Sequence, residues 1–352
     1  MTLNVRGFAA QGAETPLGPH TFVRRDPRDN DVVIDIQYCG VCHSDIHQAR
    51  NEWGKSIYPM VPGHEIIGRV SHVGAKVKGF KVGDTVGVGC MVDSCQQCPS
   101  CAEHLEQYCD EGADMTYNSR DRHDNMMNYG GYSEQIVVSE KFVLRIPAKL
   151  DIKTAAPLLC AGITTYSPLK HWKVGKGHKL AVVGLGGLGH MAVKLAKAMG
   201  AEVTLFTRSA NKTEEAQRLG ADRVVISSDA TQMDNVQNYF DFILDTVPNQ
   251  HDLNPYLATL KRDGTHILVG LIEPIDPALH SGMLVGKRKT LAGSLIGGIA
   301  ETQECLDFCA EHDISCDVEM IDIQNINTAY DRMIKSDVKY RFVIDMASLK
   351  SA

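Results

Sequence analysis

Residues 179–200 read KLAVVGLGGLGHMAVKLAKAMG, an apolar strand followed directly by a glycine-rich turn and an amphipathic helix. Gly184, Gly186 and Gly189 have the G-x-G-x-x-G spacing. The first glycine permits a tight turn, the second lets backbone N–H groups approach a pyrophosphate, and the third lets the helix pack close to its strand. A turn without a ligand is the alternative, but the order of strand, turn and helix favours a dinucleotide site. Its predicted contacts are Gly184, Leu185, Gly186, Gly187, Leu188 and Gly189.

Apolar strands alternate with amphipathic helices on both sides of this turn. Strands that are covered by helices on both faces read as continuous apolar runs, which is the pattern of a doubly wound parallel sheet. We therefore predict an α/β fold with a Rossmann domain over residues 156–293. Its predicted strands are Lys179–Val183, Glu202–Phe206, Arg223–Ile226, Phe240–Asp245, Thr265–Gly270 and Thr290–Gly293.

The two flanking segments, residues 1–155 and 294–352, have a different pattern. Short β-branched runs broken by glycine and proline predict antiparallel strands in a barrel-like domain. We expect the second segment to fold back onto the first through a helix around Glu301–Glu311 and a closing strand, Arg341–Met346. The predicted early strands are Val32–Tyr38, Ile66–Val73 and Asp84–Val88.

Length and charge exclude several classes of protein. A chain of 352 residues is long enough for two domains with separate cores. The formal net charge of -7, with both signs interspersed, argues against nucleic acid as a partner. We find no apolar run of the ~18 residues that a membrane span requires and no secretory signal, so we expect a cytoplasmic protein.

The end of the second Rossmann strand indicates which dinucleotide is bound. An NAD site usually has an acidic residue there, which accepts hydrogen bonds from the adenosine ribose. This chain has hydroxyl and cationic side chains instead, and these would bind the 2′-phosphate of NADP. The alternative is that the two cations are only solvated residues at a helix start. The residues are Thr207, Arg208, Ser209 and Lys212.

Four of the 11 cysteines lie in CQQCPSCAEHLEQYC, residues 95–109. In a reducing compartment such a cluster more often binds metal than forms disulfides. Four thiolates with no open position predict a closed, structural zinc site, and an iron–sulfur cluster is the alternative. The predicted ligands are Cys95, Cys98, Cys101 and Cys109. We interpret Cys305, Cys309 and Cys316, in a predicted helical stretch, as buried small hydrophobic residues.

A second set of ligand-type residues is spread over CGVCHSDIH (39–47), GHE (63–65) and LLCAGITTY (158–166). Two thiolates and one imidazole leave one zinc position open, and zinc in such a site acts as a Lewis acid on a carbonyl oxygen. Singly, Cys42, His64 and Cys160 could be a core residue, a turn residue and a neighbour of a helix cap. Together with the glycine turn and the four-cysteine segment, they predict a catalytic zinc site.

The whole chain resembles the zinc-containing medium-chain alcohol dehydrogenases, and specifically the cinnamyl alcohol dehydrogenase branch with its bacterial broad-range aldehyde reductases. The resemblance implies a GroES-like catalytic domain over 1–155 and 294–352, around the inserted Rossmann domain. It also implies a homodimer formed through edge strands of the Rossmann sheet. The segments that carry it are YCGVCHSDIH, YPMVPGHEIIG, GVGCMVDSC, APLLCAGITTYSPL, GSLIGGI and KYRFVIDM.

The resemblance also implies roles for single residues. Glu65 would be an exchangeable zinc ligand or a partner of the ligands, Ser44 would pass a proton from the zinc-bound alcohol, and His47 would end that relay. Ser44 could instead, or in addition, cap a helix that begins near Asp45. For the cofactor, the resemblance implies that Thr164 contacts the nicotinamide. The catalytic zinc ligands would be Cys42, His64 and Cys160. Arg341 would contact the pyrophosphate of the cofactor.

These predictions combine into one function, the reduction of aromatic or medium-chain aldehydes with NADPH. Trp53 would line the substrate pocket. A polyol dehydrogenase is an alternative, but Cys160 as third ligand argues against it. A zinc-free quinone reductase would not need the predicted ligands. A non-catalytic NADPH-binding structural or sensor protein would have no reason to place Ser44 beside an open zinc position.

Overall fold

In a computed structural model, which describes residues 3–270 and 274–351, the chain forms two compact units. The first comprises Met1–Cys160 and Gly297–Ala352, and the second comprises Ala161–Ile296. The domain boundaries predicted from sequence, after residues 155 and 293, stay predictions. In the described part of the chain, no helix combines the length and apolarity needed to cross a bilayer.

The first unit is organised around a seven-stranded sheet. Its long strand Asp31–Val41 pairs antiparallel with Ile66–Val73, Gln135–Ser139 and the closing strand Arg341–Asp345. The expected return of the C-terminal segment is therefore present, although Val318–Asp322 pairs with the closing strand in parallel. The other two strands of this sheet are Thr85–Val88 and Leu144–Arg145. Three two-stranded sheets accompany it: Leu3–Ala9 with Gly18–Arg24, Met91–Asp93 with Asp114–Met115, and Ser119–Arg120 with Met127–Asn128.

Helices in the first unit are short apart from Ile299–Glu311. Cys305 and Cys309 are fully buried on that helix, and Cys316 is buried beyond its end. The prediction that Cys316 is helical is therefore wrong. The other helices are His43–Ala49, Pro99–Ala102, Ile152–Ala155 and Ile326–Ile334, with 3-10 turns at Glu106–Tyr108, Glu140–Phe142, Ala156–Leu159, Ile323–Asn325 and Met346–Ser351.

The second unit contains a six-stranded sheet in which every pair of strands is parallel. The predicted doubly wound sheet is confirmed. The strand before the glycine turn lies in the middle, where the strand order reverses, and ligands of such sheets bind at the carboxyl ends of the strands at this point. In spatial order the strands are Arg223–Ile226, Glu202–Thr207, Lys179–Val183, Phe240–Asp245, Leu260–Leu268 and Thr290–Gly293.

Helices of the second unit connect these parallel strands, as a doubly wound sheet requires. The longest is Gly187–Ala198, which follows the glycine turn. It buries seven of its residues, so its apolar face is a large part of the core of this unit. The others are Ala161–His171, Thr213–Arg218, Ala230–Asp234, Asn254–Thr259 and Ser281–Val285, with a 3-10 turn at Ala210–Lys212.

Candidate metal centres and nucleotide site

The four clustered cysteines converge on one point of the first unit. Their sulfur atoms all lie within 4.8 Å of one another. Backbone N–H groups donate to these sulfurs, from Cys98 to Cys95 at 3.3 Å and from Cys95 to Cys109 at 3.4 Å. The N–H groups of Asp110 and Cys101 lower the pKa of Cys98 to about 7. These donors favour the thiolate form of Cys98, whereas burial raises the pKa of Cys101 to about 12. Four sulfur ligands with no open position suit a structural zinc ion.

Local backbone conformation gives this lobe its shape. Gln96 and His104 both have positive φ, of 60° and 61°, which turns the chain sharply between the sulfurs. Pro99 begins a short helix whose N-cap is Cys98. The carboxylate of Glu106 accepts a hydrogen bond from the N–H of Ile299 at 3.0 Å and so connects the lobe to the C-terminal segment. One continuous segment therefore carries all four thiols.

The second group of ligand atoms combines three distant segments. Atoms of Cys42, His64, Glu65 and Cys160 all lie within 4.8 Å of one another, and all four residues are buried. The two sulfurs are 3.8 Å apart. Cys42 precedes the helix His43–Ala49, His64 and Glu65 precede a strand, and Cys160 follows a 3-10 turn. The residues that we predicted as catalytic zinc ligands thus meet at one point.

Asp45 organises this group, although no sequence motif assigns it a role. Its carboxylate is fully buried. One oxygen accepts hydrogen bonds from Nδ1 of His64 at 3.0 Å and from the N–H of Gly63 at 3.1 Å. The other accepts from the N–H of Cys42 at 2.9 Å and from the hydroxyl of Tyr132 at 3.2 Å. With Nδ1 occupied, Nε2 of His64 keeps its lone pair for a metal, the usual arrangement behind a histidine ligand.

Charge and burial act in opposite directions on His64. Burial lowers the pKa of its imidazole, but the Asp45 carboxylate and the sulfurs of Cys90 and Cys42 together raise it, so the pKa is well above its ordinary value. The position of Asp45 also corrects a prediction. The helix begins at His43 with Cys42 as N-cap, and Asp45 accepts the hydrogen bond from the cap, so Ser44 is not the N-cap.

Glu65 presents buried oxygens that suit a cation. Neither carboxylate oxygen has a hydrogen-bond partner among the described residues, and the side chain is fully buried. Burial raises the pKa of Glu65 to about 7, although the nearby Arg341 guanidinium opposes this. Arg341 lies 3.5 Å from Oε1 and is 3% exposed. A Cβ atom at Gly40 would clash with the Glu65 carboxylate, so a glycine is required there.

Ser44 and His47, the residues of the predicted proton relay, lie on the helix His43–Ala49, which directly follows the predicted ligand Cys42. Ser44 is half-buried, and its hydroxyl is 3.6 Å from the sulfur of Cys42. Nδ1 of His47 is 2.5 Å from a carboxylate oxygen of Glu52, and its ring stacks on Trp53 with centroids 5.0 Å apart. Trp53 is 43% exposed. Ser44 therefore lies beside a predicted ligand, while His47 lies nearer the surface.

The glycine turn has the backbone that its spacing predicts. Gly184 has a φ of 89°, where only glycine is unstrained. A Cβ atom at Gly189 would clash with the carbonyl oxygen of Gly184, which shows how closely the helix approaches its strand. A Cβ atom at Gly186 would meet no atom within 4 Å, so its backbone is open to a ligand. Gly186 is the N-cap of the following helix, whose N–H groups suit a phosphate.

The segment predicted to bind the 2′-phosphate follows the neighbouring strand. Thr207 ends that strand and is buried, whereas Arg208 and Ser209 are exposed. The ammonium group of Lys212 donates to the carbonyl oxygen of Leu185 at 3.4 Å. Lys212 therefore reaches the glycine turn, and Arg208 follows the end of the neighbouring strand. Thr164 lies on the helix Ala161–His171.

Comparison with known proteins agrees with this architecture. Residues 28–148 match the profile of the alcohol dehydrogenase GroES-like domain, and residues 187–311 match that of the zinc-binding dehydrogenases. The chain is 53% identical to aldehyde reductase YahK of Escherichia coli (strain K12), over 99% of both chains. A cinnamyl alcohol dehydrogenase structure from Sorghum bicolor is 45% identical, with a TM-score of 0.95 over 98% of each chain.

A cinnamyl alcohol dehydrogenase from Helicobacter pylori, solved with NADP(H), is also 45% identical and has a TM-score of 0.92 over 99% of each chain. Similarity of this extent confirms the GroES-like and Rossmann domains and the resemblance stated above. The chain therefore belongs to the zinc-containing medium-chain alcohol dehydrogenases, a family of oxidoreductases, and within it to the cinnamyl alcohol dehydrogenase branch.

Proposed function

We propose that this protein is a zinc-dependent alcohol dehydrogenase that reduces aromatic or medium-chain aldehydes with NADPH and catalyses the reverse oxidation with NADP. The observation that carries this proposal is the convergence of Cys42, His64, Glu65 and Cys160, with ligand atoms within 4.8 Å of one another. Asp45 behind His64 supports it, because a carboxylate on the far nitrogen is typical of metal-bound histidine. The similarity to aldehyde reductase YahK supports the choice of substrate class.

Both donor sets fit zinc. Two thiolates, one imidazole and a carboxylate suit a borderline-soft dication with an exchangeable position, and four thiolates suit a closed site. When bound, the zinc at Cys42, His64 and Cys160 supplies a Lewis acid for the substrate oxygen, and NADPH supplies the hydride. Glu65 is an alternative ligand or a partner of the ligands, and its buried oxygens, which accept no hydrogen bond from the described residues, support that role.

The proton is handled by the chain itself. The hydroxyl of Ser44, 3.6 Å from the sulfur of Cys42, donates a proton to the substrate oxygen as the aldehyde becomes an alcohol. A hydroxyl suits this task because it both donates and accepts. His47 resupplies the proton: its side chain is 25% exposed, so it can exchange with water, and Glu52 holds its ring. Trp53, stacked on His47, lines the substrate pocket in this proposal.

NADP(H) binds along the second unit. Its pyrophosphate lies on the glycine turn, Thr164 contacts the nicotinamide, and the 2′-phosphate binds the segment after Glu202–Thr207. That Arg341 also contacts the pyrophosphate stays a prediction from the family resemblance. None of residues 207–212 is acidic. The Helicobacter pylori relative was solved with NADP(H), which supports the same cofactor here. The phosphate contacts are Thr207, Arg208, Ser209 and Lys212. We further propose a cytoplasmic homodimer.

The test is an assay of the purified, metal-analysed protein with a panel of aldehydes, following NADPH absorbance. We expect about two zinc ions per chain, faster turnover with NADPH than with NADH, and loss of activity when a chelator removes the zinc held by Cys42, His64 and Cys160. Equal catalytic efficiency with NADPH and NADH would contradict the assignment of the phosphate segment. Full activity without zinc would contradict the proposed chemistry.

A further inference from the structure

A charged cluster lies at the carboxyl end of the strand Phe240–Asp245, in the second unit. Asp245 is 1% exposed. One of its oxygens accepts hydrogen bonds from Nε2 of His251 at 2.9 Å and from Nε2 of His266 at 3.0 Å. The other accepts from the N–H of Val247 at 3.2 Å. The proposed reaction uses none of these side chains, so the cluster needs a separate explanation.

The two imidazoles differ in what faces their second nitrogen. Nδ1 of His251 lies 2.7 Å from the carbonyl oxygen of Asn249. Both ring nitrogens of His251 therefore face acceptors, and only the doubly protonated ring can donate to both. Nδ1 of His266 is buried without a partner among the described residues, so the Nε2–H tautomer satisfies that ring. The hydrogen-bond geometry thus favours a cluster with two charged groups, the Asp245 carboxylate and the His251 imidazolium.

The surroundings of His251 favour its positive charge. The hydrogen bond to Asp245 raises its pKa, partial burial lowers it, and Asp252 in the same loop adds a further upward shift. His266 approaches from the neighbouring strand. From the helix Asn254–Thr259, the ring of Tyr256 meets His251 edge-on, with centroids 6.0 Å apart. Among the described residues, 3–270 and 274–351, these are the titratable groups that face His251, and the net shift of its pKa is upward.

The loop of residues 246–251 is packed on the glycine turn. Thr246 donates its hydroxyl to the carbonyl oxygen of Val183 at 2.7 Å. A Cβ atom at Gly184 would lie 2.9 Å from a methyl group of Val247. A Cβ atom at Gly270 would clash with the carbonyl oxygen of Val247. The loop 246–251 therefore packs directly against the glycine turn, whose backbone binds the pyrophosphate in our proposal.

We infer that His251 is held as an imidazolium that fastens the loop 246–251 against the glycine turn, so that NADP(H) affinity falls when His251 loses its proton. His251 is a positioning residue, since it acts through the loop. The inference rests on the proposed function for the place of the cofactor. Because the pKa of His251 is raised on folding, the contribution of its two hydrogen bonds is complete at low pH and is lost as pH rises through that pKa. The unprotonated ring then presents a lone pair to one of its two acceptors.

Nuclear magnetic resonance of the histidine rings in the full-length protein tests the charge directly. We expect His251 to titrate at higher pH than exposed His280, with protons on both ring nitrogens near neutral pH. An apparent pKa at or below that of His280 would overturn the inference. This measurement uses the unmodified chain without cofactor, so it remains decisive whether or not NADPH binds.

Binding of NADPH, followed by its fluorescence, tests the consequence for the cofactor. We expect the dissociation constant of the wild type to rise about tenfold as His251 deprotonates. H251Q should bind about tenfold more weakly at low pH, with a flatter pH profile, and H280Q should match the wild type. A profile of H251Q parallel to that of the wild type would overturn the inference. Absence of NADPH binding in every variant would instead contradict the proposed function.

Discussion

The two metal groups of the first unit are built in opposite ways. The four-cysteine lobe comes from one continuous segment, residues 95–109, and its sulfurs receive hydrogen bonds mainly from neighbouring backbone. The group of Cys42, His64 and Cys160 joins three segments and depends on a buried carboxylate, Asp45, to orient its imidazole. A local site can stabilise a loop, whereas a site assembled from distant segments can leave one position open for chemistry. Substitutions in the two groups should therefore differ strongly in their effect on turnover.

Replacement of Cys160 by serine should nearly abolish aldehyde reduction. Loss of the catalytic zinc removes several kcal/mol of stabilisation of the developing charge, so we expect turnover to fall about a thousandfold or more. Metal analysis should show about one zinc per chain instead of two. C309A is the control, because Cys309 is equally buried but lies on the helix Ile299–Glu311. Two zinc ions per chain in C160S would break the distinction between the two groups.

Replacement of Ser44 by alanine should reduce turnover about a hundredfold, since general acid catalysis contributes on that order. Zinc content and NADPH affinity should stay at wild-type values. S44T keeps the hydroxyl and should recover most of the activity. S71A, which changes another half-buried serine of the first unit, is the control. Unchanged turnover in S44A would remove Ser44 from the proton pathway.

Replacement of Asp45 by asparagine should affect only one of the two metal groups, because Asp45 orients His64 and contacts no residue of the four-cysteine lobe among the hydrogen bonds described above. The amide cannot accept all four hydrogen bonds that the carboxylate accepts. We expect the affinity of the catalytic zinc to fall about 10- to 100-fold, and turnover at saturating zinc to fall about tenfold. Zinc retention during dialysis against a chelator measures this. D35N is the control, because Asp35 is exposed, and loss of both zinc ions from D45N would contradict the account.

Replacement of Cys95 by serine should have the smallest effect on turnover. Without its fourth thiolate the lobe binds zinc weakly, and we expect the unfolding temperature to fall by about 10 °C. Turnover per chain that still holds its catalytic zinc should change less than about twofold. Calorimetry and metal analysis, with C309A again as control, check both parts. A fully stable variant with one zinc per chain would show that the lobe has no structural role.

The sequence predicts the Rossmann sheet well because its strands are continuous apolar runs between helices. It misses the start of Leu260–Leu268, where three consecutive charged residues, Lys261 to Asp263, interrupt the apolar pattern of the strand. It also misses Asp45, since the only local signal is an acid in the first turn of a helix. The role of that acid depends on folding, which brings His64 against it across 19 residues. The spacing of cysteine and histidine residues in the sequence thus predicts the metal ligands, but it does not predict the buried groups that orient them.

Stepwise removal of zinc is the most direct measurement of the central claim, that one metal group performs the chemistry and the other holds the fold. A chelator titration should be followed at once by metal content, aldehyde reduction with NADPH, and unfolding temperature. The account predicts that loss of the zinc held by Cys42, His64 and Cys160 abolishes reduction and leaves the unfolding temperature nearly unchanged. Activity that survives this loss, or that falls only as the protein unfolds, would contradict it.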